Sequence, residues 1–283
     1  MSQILRVLMV VRDREQRDNP VGRALWSVLK SEPQLEVLDV VTTEQLPSPC
    51  PAEMVLVVGG DGTILRTCRQ MAQHQLPILG VNQGRLGFLA DLSPQELQQR
   101  LPELCARQYQ VVHHLMFSCE WWREGQRLEQ FHGLNEVAIL SAGSLQMLRV
   151  DLSIDGKPVT TFRGDGLLLA TPVGSTAHSL AAGGPILKQD LLAFVVTPIS
   201  PHTLTNRPLV DRAEAYYIMS VPEAAPGVTL VIDGQIRREL QAGDEVHVRQ
   251  APMSFQLVKF HQHNYYATLH RKLGWGGQPP FQG

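Results

Sequence analysis

The amino-acid sequence predicts an N-terminal Rossmann-like α/β domain followed by an all-β C-terminal domain. Over roughly the first hundred residues, short β-branched runs alternate with helical periodicity, which is typical of a parallel sheet covered by helices. From about Gln110 the pattern changes to strands separated by turn dipeptides, which is typical of an all-β unit. The 283 residues, 43% of them apolar, are enough for two such domains with buried cores.

In the N-terminal part, helix signals stand between the strand-like runs. Asn19 as N-cap and Pro20 at the first helical position predict the start of one helix. Ser93 and Glu96 form the capping-box pattern that predicts another. The predicted strands are Leu5–Val11, Leu35–Val41, Met54–Val58 and Ile78–Val81.

In the C-terminal part, two Asp-Gly dipeptides predict tight β-hairpins. Asp155-Gly156 stands between the runs Leu152–Ile154 and Val159–Phe162, and Asp233-Gly234 follows Val228–Ile232. Later apolar runs at Val246–Val248 and Phe255–Val258 continue the series of predicted strands.

Composition argues against several classes of partner. Lys and Arg number 25 against 27 Asp and Glu, so we expect neither nucleic acid nor a membrane surface as a partner. No apolar run reaches the length of about 20 residues that a membrane helix needs. The first apolar stretch turns at once to charged residues, which favours a strand over a signal peptide. The four scattered cysteines favour a reducing compartment, and we expect a cytoplasmic protein.

The glycine-rich segment Gly59–Thr63 joins a predicted strand to a predicted helix. Such a turn directs backbone N–H groups and a helix N-terminus at one point, where phosphate binds well. Asp61 is unusual in this setting, because a carboxylate repels phosphate unless it accepts a proton or is bridged by a metal. The alternative is that Asp61 only caps the following helix. Neither the Walker A nor the G-x-G-x-x-G pattern is present.

Three further segments are candidates for ligand contact. The segment Gly84–Leu89 follows a strand end, where ligands often bind, although it could be a packed turn. Asn135-Glu136 lies in the strand-like stretch Gly133–Ile139, where the acid could simply face solvent. The segment Thr171–Pro185 is so rich in small and hydroxylated residues that we expect it to shape a ligand-binding surface rather than a core, with a plain loop as the alternative.

Metal binding and serine-hydrolase chemistry are both disfavoured in the segment Thr171–Pro185. His178 has no second His or carboxylate at the spacing of metal ligands. Ser175 and Ser179 lack the G-x-S-x-G pattern of a serine hydrolase.

Taken together, these motifs resemble the bacterial NAD kinase family. G-G-D-G-T at Gly59–Thr63 is also found in diacylglycerol, sphingosine and 6-phosphofructo kinases, so alone it is only moderately specific. The set is far more specific, because its other members follow in the family's order: L-G-F-L at 86–89, N-E at 135–136, D-G-x-x-x-x-T-P-x-G-S-T-A at 165–177, A-G-G-P-I at 182–186 and H-T-L-x-x-R-P-L-V at 202–210.

The resemblance implies an α/β domain at 1–107, completed by 262–283, and a β-rich substrate-binding domain at 108–261. It implies transfer of a phosphoryl group from ATP to the 2′-hydroxyl of the adenosine ribose of NAD, with Asp61 as general base and Mg²⁺, or another divalent cation, carried by the nucleotide. The implied phosphate-binding residues are Gly59, Gly60, Gly62, Thr63 and Arg66. The implied NAD-binding residues are Asp61, Gly62, Phe88, Asn135, Glu136, Gln146, Arg163, Asp165, Thr176, Ala177, His178, Ser179, Leu180, Ala181 and Gln235.

The resemblance also implies a homodimer or homotetramer, and it leaves some points open. His178 stands where the family usually has Tyr, and Gln146 replaces a residue that is often His or another polar group. ATP and inorganic polyphosphate both suit a glycine-lined turn. A lipid kinase that shares G-G-D-G-T is one alternative, although no amphipathic membrane anchor is visible. A dinucleotide-binding regulator without catalysis is another, which the intact Asp61 disfavours.

Overall fold

The computed structural model describes residues 4–13, 15–16, 19–84, 87–141, 147–203, 205–260 and 264–274. Its contacts divide the chain into two compact units, one with the residues up to His113 and from Gln256 onward, the other with His114–Phe255. No described helix is long and apolar enough to cross a membrane.

The N-terminal elements alternate strand and helix, with a 3₁₀ turn at Thr43–Gln45. They are β1 (Leu5–Val11), α1 (Pro20–Lys30), β2 (Leu35–Thr42), β3 (Met54–Val58), α2 (Asp61–Met71), β4 (Ile78–Val81) and α3 (Pro94–Cys105). The predicted helix starts are confirmed: Asn19 accepts a hydrogen bond from Gly22 N at 2.6 Å, and Ser93 and Glu96 form a capping box.

The middle of the chain is almost entirely strands. They are β5 (Gln110–Arg123), β6 (Gln126–Gly133), β7 (Glu136–Leu140), β8 (Leu148–Ile154), β9 (Lys157–Gly164), β10 (Gly166–Ala170), β11 (Ala193–Ile199), β12 (Leu209–Arg212), β13 (Tyr217–Val221), β14 (Thr229–Ile232) and β15 (Ile236–Glu239). The short helix α4 (His178–Ala181) lies between β10 and β11. The long strand β16 (Asp244–Lys259) and the helix α5 (Tyr265–Leu273) follow.

The first unit contains a parallel sheet in the order β2–β1–β3–β4, which the end of β16 extends beside β4. Helices α1 and α3 contribute Leu25, Leu29 and Leu101 to the buried cluster on this sheet. The strand order reverses between β1 and β3, and ligands of such sheets bind beyond the carboxyl ends of the strands at that point. Since β3 ends at Val58, the glycine-rich turn lies at this edge.

The second unit contains two mainly antiparallel sheets. One has the order β16–β13–β8–β9, with β5 and β6 joined to it, and the other has the order β12–β11–β10–β7–β14–β15. Both sheets contribute to one apolar core that includes the fully buried side chains of Phe117, Phe194 and Tyr217. The predicted fold class, an α/β domain followed by a β-rich domain, is therefore confirmed.

The local predictions for the second unit are partly confirmed. Both Asp-Gly hairpins form, with positive φ at Asp155 (50°), Gly156 (73°), Asp233 (49°) and Gly234 (67°), as type I′ turns require. The two separate strands predicted at 246–248 and 255–258 are instead one strand, β16, because the alternating burial continues between them. The stretch Gly133–Ile139 is not one strand, since β6 ends at Gly133 and β7 begins at Glu136.

Candidate active site

The glycine-rich turn leads directly from β3 into helix α2. Gly60 is the N-cap of this helix with an extended backbone, and Asp61 is its first residue. N–H groups in the first turn of a helix have no acceptor within that helix, so they are available to an anion. Gly60 and Gly62 are exposed at this turn.

The carboxylate of Asp61 is bound by the segment that follows β4. Oδ2 accepts the backbone N–H of Phe88 at 2.8 Å, and Oδ1 accepts those of Leu89 at 3.1 Å and Ala90 at 3.0 Å. The N-cap position of helix α2 is occupied by Gly60 and not by Asp61. The interpretation of Asp61 as a helix cap is therefore wrong, because its carboxylate is turned toward the neighbouring loop.

This arrangement leaves Asp61 with capacity for one more donor. A carboxylate offers about four lone-pair positions, and three are taken by backbone N–H groups. The side chain is only partly buried, so a ligand hydroxyl can approach it. Asp61 is thus a rigidly held acceptor beside a phosphate-binding turn, the arrangement that a general base requires.

Gly87 is required for this geometry, because a Cβ at this position would overlap the Asp61 carboxylate. We expect Gly87→Ala to displace that carboxylate and to lower the kcat of the chain by roughly a hundredfold. Gly84→Ala is the matched control, since no atom lies within 4 Å of a Cβ added there. Equal kcat values for the two variants, at equal thermal stability, would contradict this expectation.

The other residues predicted to hold phosphate have different surroundings. The side chain of Thr63 is 7% exposed, and a Cβ at Gly59 would lie 2.5 Å from its Oγ1, so these two residues pack against each other. Arg66 is half-exposed, with Nη1 4.0 Å from the carboxylate of Glu44. Gly59 and Thr63 therefore shape the turn, while Arg66 keeps a charge that can reach an anion.

In the second unit, Asn135 directly precedes β7 and Glu136 is the first residue of that strand, and Asp233 holds the backbone of both. The Asp233 carboxylate accepts the backbone N–H groups of Leu134 at 3.1 Å, Asn135 at 2.8 Å and Glu136 at 3.2 Å. The Asp233 N–H in turn donates to the carbonyl of Glu136 at 2.9 Å. The second Asp-Gly hairpin thus fixes the backbone of the Asn135-Glu136 pair.

Glu136 is a buried acid, so the interpretation that it faces solvent is wrong. Its side chain is 5% exposed, and its Oε2 has no hydrogen-bond partner in the described part of the chain. Burial, and secondly the charge of Asp233, raise the pKa of Glu136 to about 8. A buried acid without a partner is poised to meet a polar ligand group such as a sugar hydroxyl.

The raised pKa of Glu136 predicts a pH-dependent stability. The folded chain binds this proton more tightly than the unfolded chain, whose pKa is near 4.5, so the stabilisation is complete below 4.5 and is lost as pH rises through about 8. We expect Glu136→Gln to remove this loss, which is on the order of a few kcal/mol. Free energies of unfolding at pH 5 and pH 9 for parent and variant measure it, and parallel profiles would contradict it.

The segment Thr171–Pro185 differs from the sequence expectation. Thr171, Ser175 and Ser179 are fully buried, so the prediction that these residues cannot build a core is wrong. Their hydroxyls are satisfied internally: Ser175 Oγ donates to Pro172 O at 2.6 Å, and Ser179 Oγ lies 2.9 Å from the hydroxyl of Thr197. Small hydroxylated residues can be buried because each finds a partner within a tight turn.

Ligand-accessible groups in this segment come from its second part. Thr176, Ala177 and Leu180 are partly exposed, and His178 and Ala181 are exposed, whereas the hydroxyl of Ser179 faces the interior. The loop before them packs on Asn135: Thr171 N donates to Asn135 O at 2.9 Å, and a Cβ at Gly174 would overlap the Asn135 backbone. The structure thus brings Asn135 next to the turn that carries Thr176.

The remaining predicted residues are more dispersed. Arg163 and Asp165 are exposed at the end of β9 and just beyond it, and Gln235 follows Asp233 and Gly234 in the second hairpin. Phe88 is partly buried beside the Asp61 carboxylate. Gln146, Arg85, Leu86, Leu204 and Trp275 lie outside the described residues.

Sequence reasoning missed three positions that shape the candidate site. Asp233 was recognised only as a turn residue, although its carboxylate binds a loop 97 to 99 residues away in sequence. Gly87 and Gly174 were recognised only as members of the motifs at 86–89 and 165–177, because the groups that exclude a side chain there come from distant segments. Within the described ranges, no group of three or more His, Cys, Asp or Glu side chains could hold a metal ion.

Family models match most of the chain. Residues 11–109 match the ATP-NAD kinase N-terminal domain, and residues 134–260 match the ATP-NAD kinase C-terminal domain. An NAD kinase of Rhodopirellula baltica is 47% identical over 226 residues, which are 80% of this chain and 73% of the relative. An NAD kinase of Acidithiobacillus ferrooxidans is 36% identical over 269 residues, which are 94% of this chain and 91% of the relative.

Two solved structures share the fold. A yeast NADH kinase complexed with NADH has a TM-score of 0.85 at 22% identity and covers 99% of this chain and 91% of its own. An NAD kinase from Archaeoglobus fulgidus in complex with ATP has a TM-score of 0.77 at 27% identity. The match covers 95% of this chain and 99% of that structure's chain.

Proposed function

Because the chain belongs to the ATP-NAD kinase family and phosphorylates NAD to NADP, we propose that Asp61 is the general base of the phosphoryl transfer. The observation that carries this proposal is the carboxylate of Asp61, fixed by three backbone N–H groups beside a glycine-rich helix N-terminus. Such a base must be held in place, and it must have room beside it for a neutral hydroxyl and a polyanion. The three backbone hydrogen bonds support the first condition, and the exposed glycine-rich turn supports the second.

In the proposed reaction, the 2′-hydroxyl of the adenosine ribose donates its proton to the free lone pair of Asp61. The ribose oxygen attacks the γ-phosphoryl group of ATP, and the bond to the β-phosphate oxygen breaks, which releases ADP. A sugar hydroxyl is a weak nucleophile, and a loose in-line transfer needs alignment, one proton acceptor and neutralisation of charge. The exposed backbone of Gly60 and Gly62 and the side chain of Arg66 supply the donors for phosphate.

NAD is held, in this proposal, by residues of the second unit. Asn135 and Glu136 meet ribose hydroxyls, for which a carboxyl group with an unpartnered oxygen is a suitable acceptor. The adenosine part packs on the accessible residues of the segment 176–181, and Gln235 completes this set. Asp165 contacts the nicotinamide part, and Arg163 stands two residues before it.

We propose Mg²⁺, or another divalent cation, as the partner of the nucleotide phosphates, where it would neutralise charge that develops on the transferred group. The donor set supports delivery by the nucleotide, because three of the lone-pair positions of Asp61 already accept N–H groups.

The described cysteines are all free, which suits a reducing compartment, and we propose the cytoplasm. A homodimer or homotetramer is proposed from the family resemblance.

A steady-state assay with the purified chain tests the proposal. We expect NADP to form from NAD and ATP only when Mg²⁺ is present, with no labelled product from diacylglycerol or sphingosine. NADH in place of NAD, and inorganic polyphosphate in place of ATP, would define the acceptor and donor range. Absence of NADP under all of these conditions, from a folded chain that binds NAD, would overturn the proposed function.

A further inference from the structure

Helix α5 places the side chain of Lys272 over Phe88, the residue whose backbone N–H binds Asp61. Asn264 caps its first turn, and Gly274 ends it in the left-handed conformation at φ 65°. The last turn carries the basic residues His270, Arg271 and Lys272. Of these, Lys272 lies with its Nζ 5.3 Å from the centroid of the Phe88 ring.

Phe88 connects this cation to the candidate base. Its backbone N–H donates to Asp61 Oδ2 at 2.8 Å, while its ring lies under the Lys272 ammonium group. The contact is with a ring and not with an acid: in the described part of the chain, Lys272 has no carboxylate partner. Lys272 is partly exposed, and its ammonium group sits on a flexible four-carbon stem, so it can move toward a bound anion.

The proposed reaction requires positive charge near the phosphates of the donor. A nucleoside triphosphate carries several negative charges, and Asp61 adds another at the point where the γ-phosphate must lie. Backbone N–H groups of the glycine-rich turn contribute only partial charges. Arg66, the side-chain donor already proposed beside this turn, has its Nη1 4.0 Å from Glu44, so one guanidinium near a carboxylate does not balance these charges.

We propose that Lys272 binds the phosphates of the nucleoside triphosphate donor. This inference rests on the proposed function and adds a binding residue on the C-terminal helix to the glycine-rich turn. Lysine is suited to this task because its compact ammonium group binds phosphate as a point charge and adjusts to several phosphate oxygens.

The test compares Lys272→Met and Lys272→Gln, which remove the charge, with Lys272→Arg, which retains it. Arg271→Met is the matched control, because Arg271 is exposed on the same turn of helix α5. For each variant, the KM for ATP, the KM for NAD and the inhibition constant of inorganic tripolyphosphate are measured. Thermal unfolding verifies that each variant is folded.

We expect Lys272→Met and Lys272→Gln to raise the KM for ATP and the inhibition constant of tripolyphosphate by about ten- to a hundredfold. The KM for NAD should change less than about threefold, and Lys272→Arg and Arg271→Met should resemble the parent. An unchanged KM for ATP and an unchanged inhibition constant for tripolyphosphate would overturn the proposal. A fall in kcat alone would also overturn it, because that result would indicate only that the loop carrying Phe88 has shifted.

Failure of this inference is distinguishable from failure of the proposed function. Calorimetric binding of tripolyphosphate to the parent and to Lys272→Met requires no turnover, so it tests Lys272 even if NAD is not phosphorylated. Equal affinities in that experiment would overturn the role of Lys272 and leave the proposed function intact.

Discussion

We expect Asp61→Asn to lower kcat for NAD phosphorylation by about 10²- to 10⁴-fold, the range that a positioned general base contributes. Asparagine has nearly the same shape but cannot accept the ribose proton. It therefore removes the base while it leaves the glycine-rich turn and the proposed NAD-binding residues in place. The affinity for NAD, measured by calorimetry, should change less than about threefold.

The structure adds a second effect of the same substitution. With Oδ1 keeping its bonds to Leu89 and Ala90, an amide nitrogen would face the N–H of Phe88, which now donates to Oδ2. Two donors facing each other cost about 1–3 kcal/mol of stability. Thermal unfolding therefore accompanies the kinetics, with exposed Glu36→Gln as a charge-removal control. Turnover as fast as the parent with normal NAD binding would eliminate Asp61 as the base.

We expect Asp233→Ala to raise the KM for NAD by at least about tenfold and to lower the free energy of unfolding by several kcal/mol. The carboxylate of Asp233 is 5% exposed and accepts three backbone N–H groups from the residues 134–136. Without it, these buried donors lose their acceptor, at a cost of about 1–3 kcal/mol for each unsatisfied group. The Asn135-Glu136 pair then loses the backbone position on which its proposed ribose contacts depend.

Asp155→Ala is the matched control for this prediction. Asp155 occupies the same place in the other Asp-Gly hairpin, with φ of 50° against 49° for Asp233, so alanine introduces the same backbone strain in both turns. Its carboxylate, however, is exposed and bonds to Tyr216 N and to Arg212. We expect a smaller loss of stability and an unchanged KM for NAD. Equal KM values for the two variants would show that Asp233 does not position the NAD-binding residues.

The sequence by itself determined the features that depend on neighbours along the chain. Strands β1 and β3, the caps at Asn19 and Ser93, and both Asp-Gly hairpins follow from side-chain periodicity and backbone preferences that act over a few residues. The set of motifs, each local, likewise identified the family that the comparisons with known proteins confirm.

Only the tertiary structure decided what Asp61 and Glu136 contact. Asp61 reaches the N–H groups of residues 88–90 because β3 and β4 are adjacent and parallel, so the segments after them meet at one edge of the sheet. The backbone N–H of Glu136 donates to Asp233, a residue nearly a hundred positions later in the chain. Hydrogen bonds across such separations depend on strand order, which a local pattern does not encode. This is why the sequence left a helix cap at Asp61 and an exposed acid at Glu136 open as alternatives.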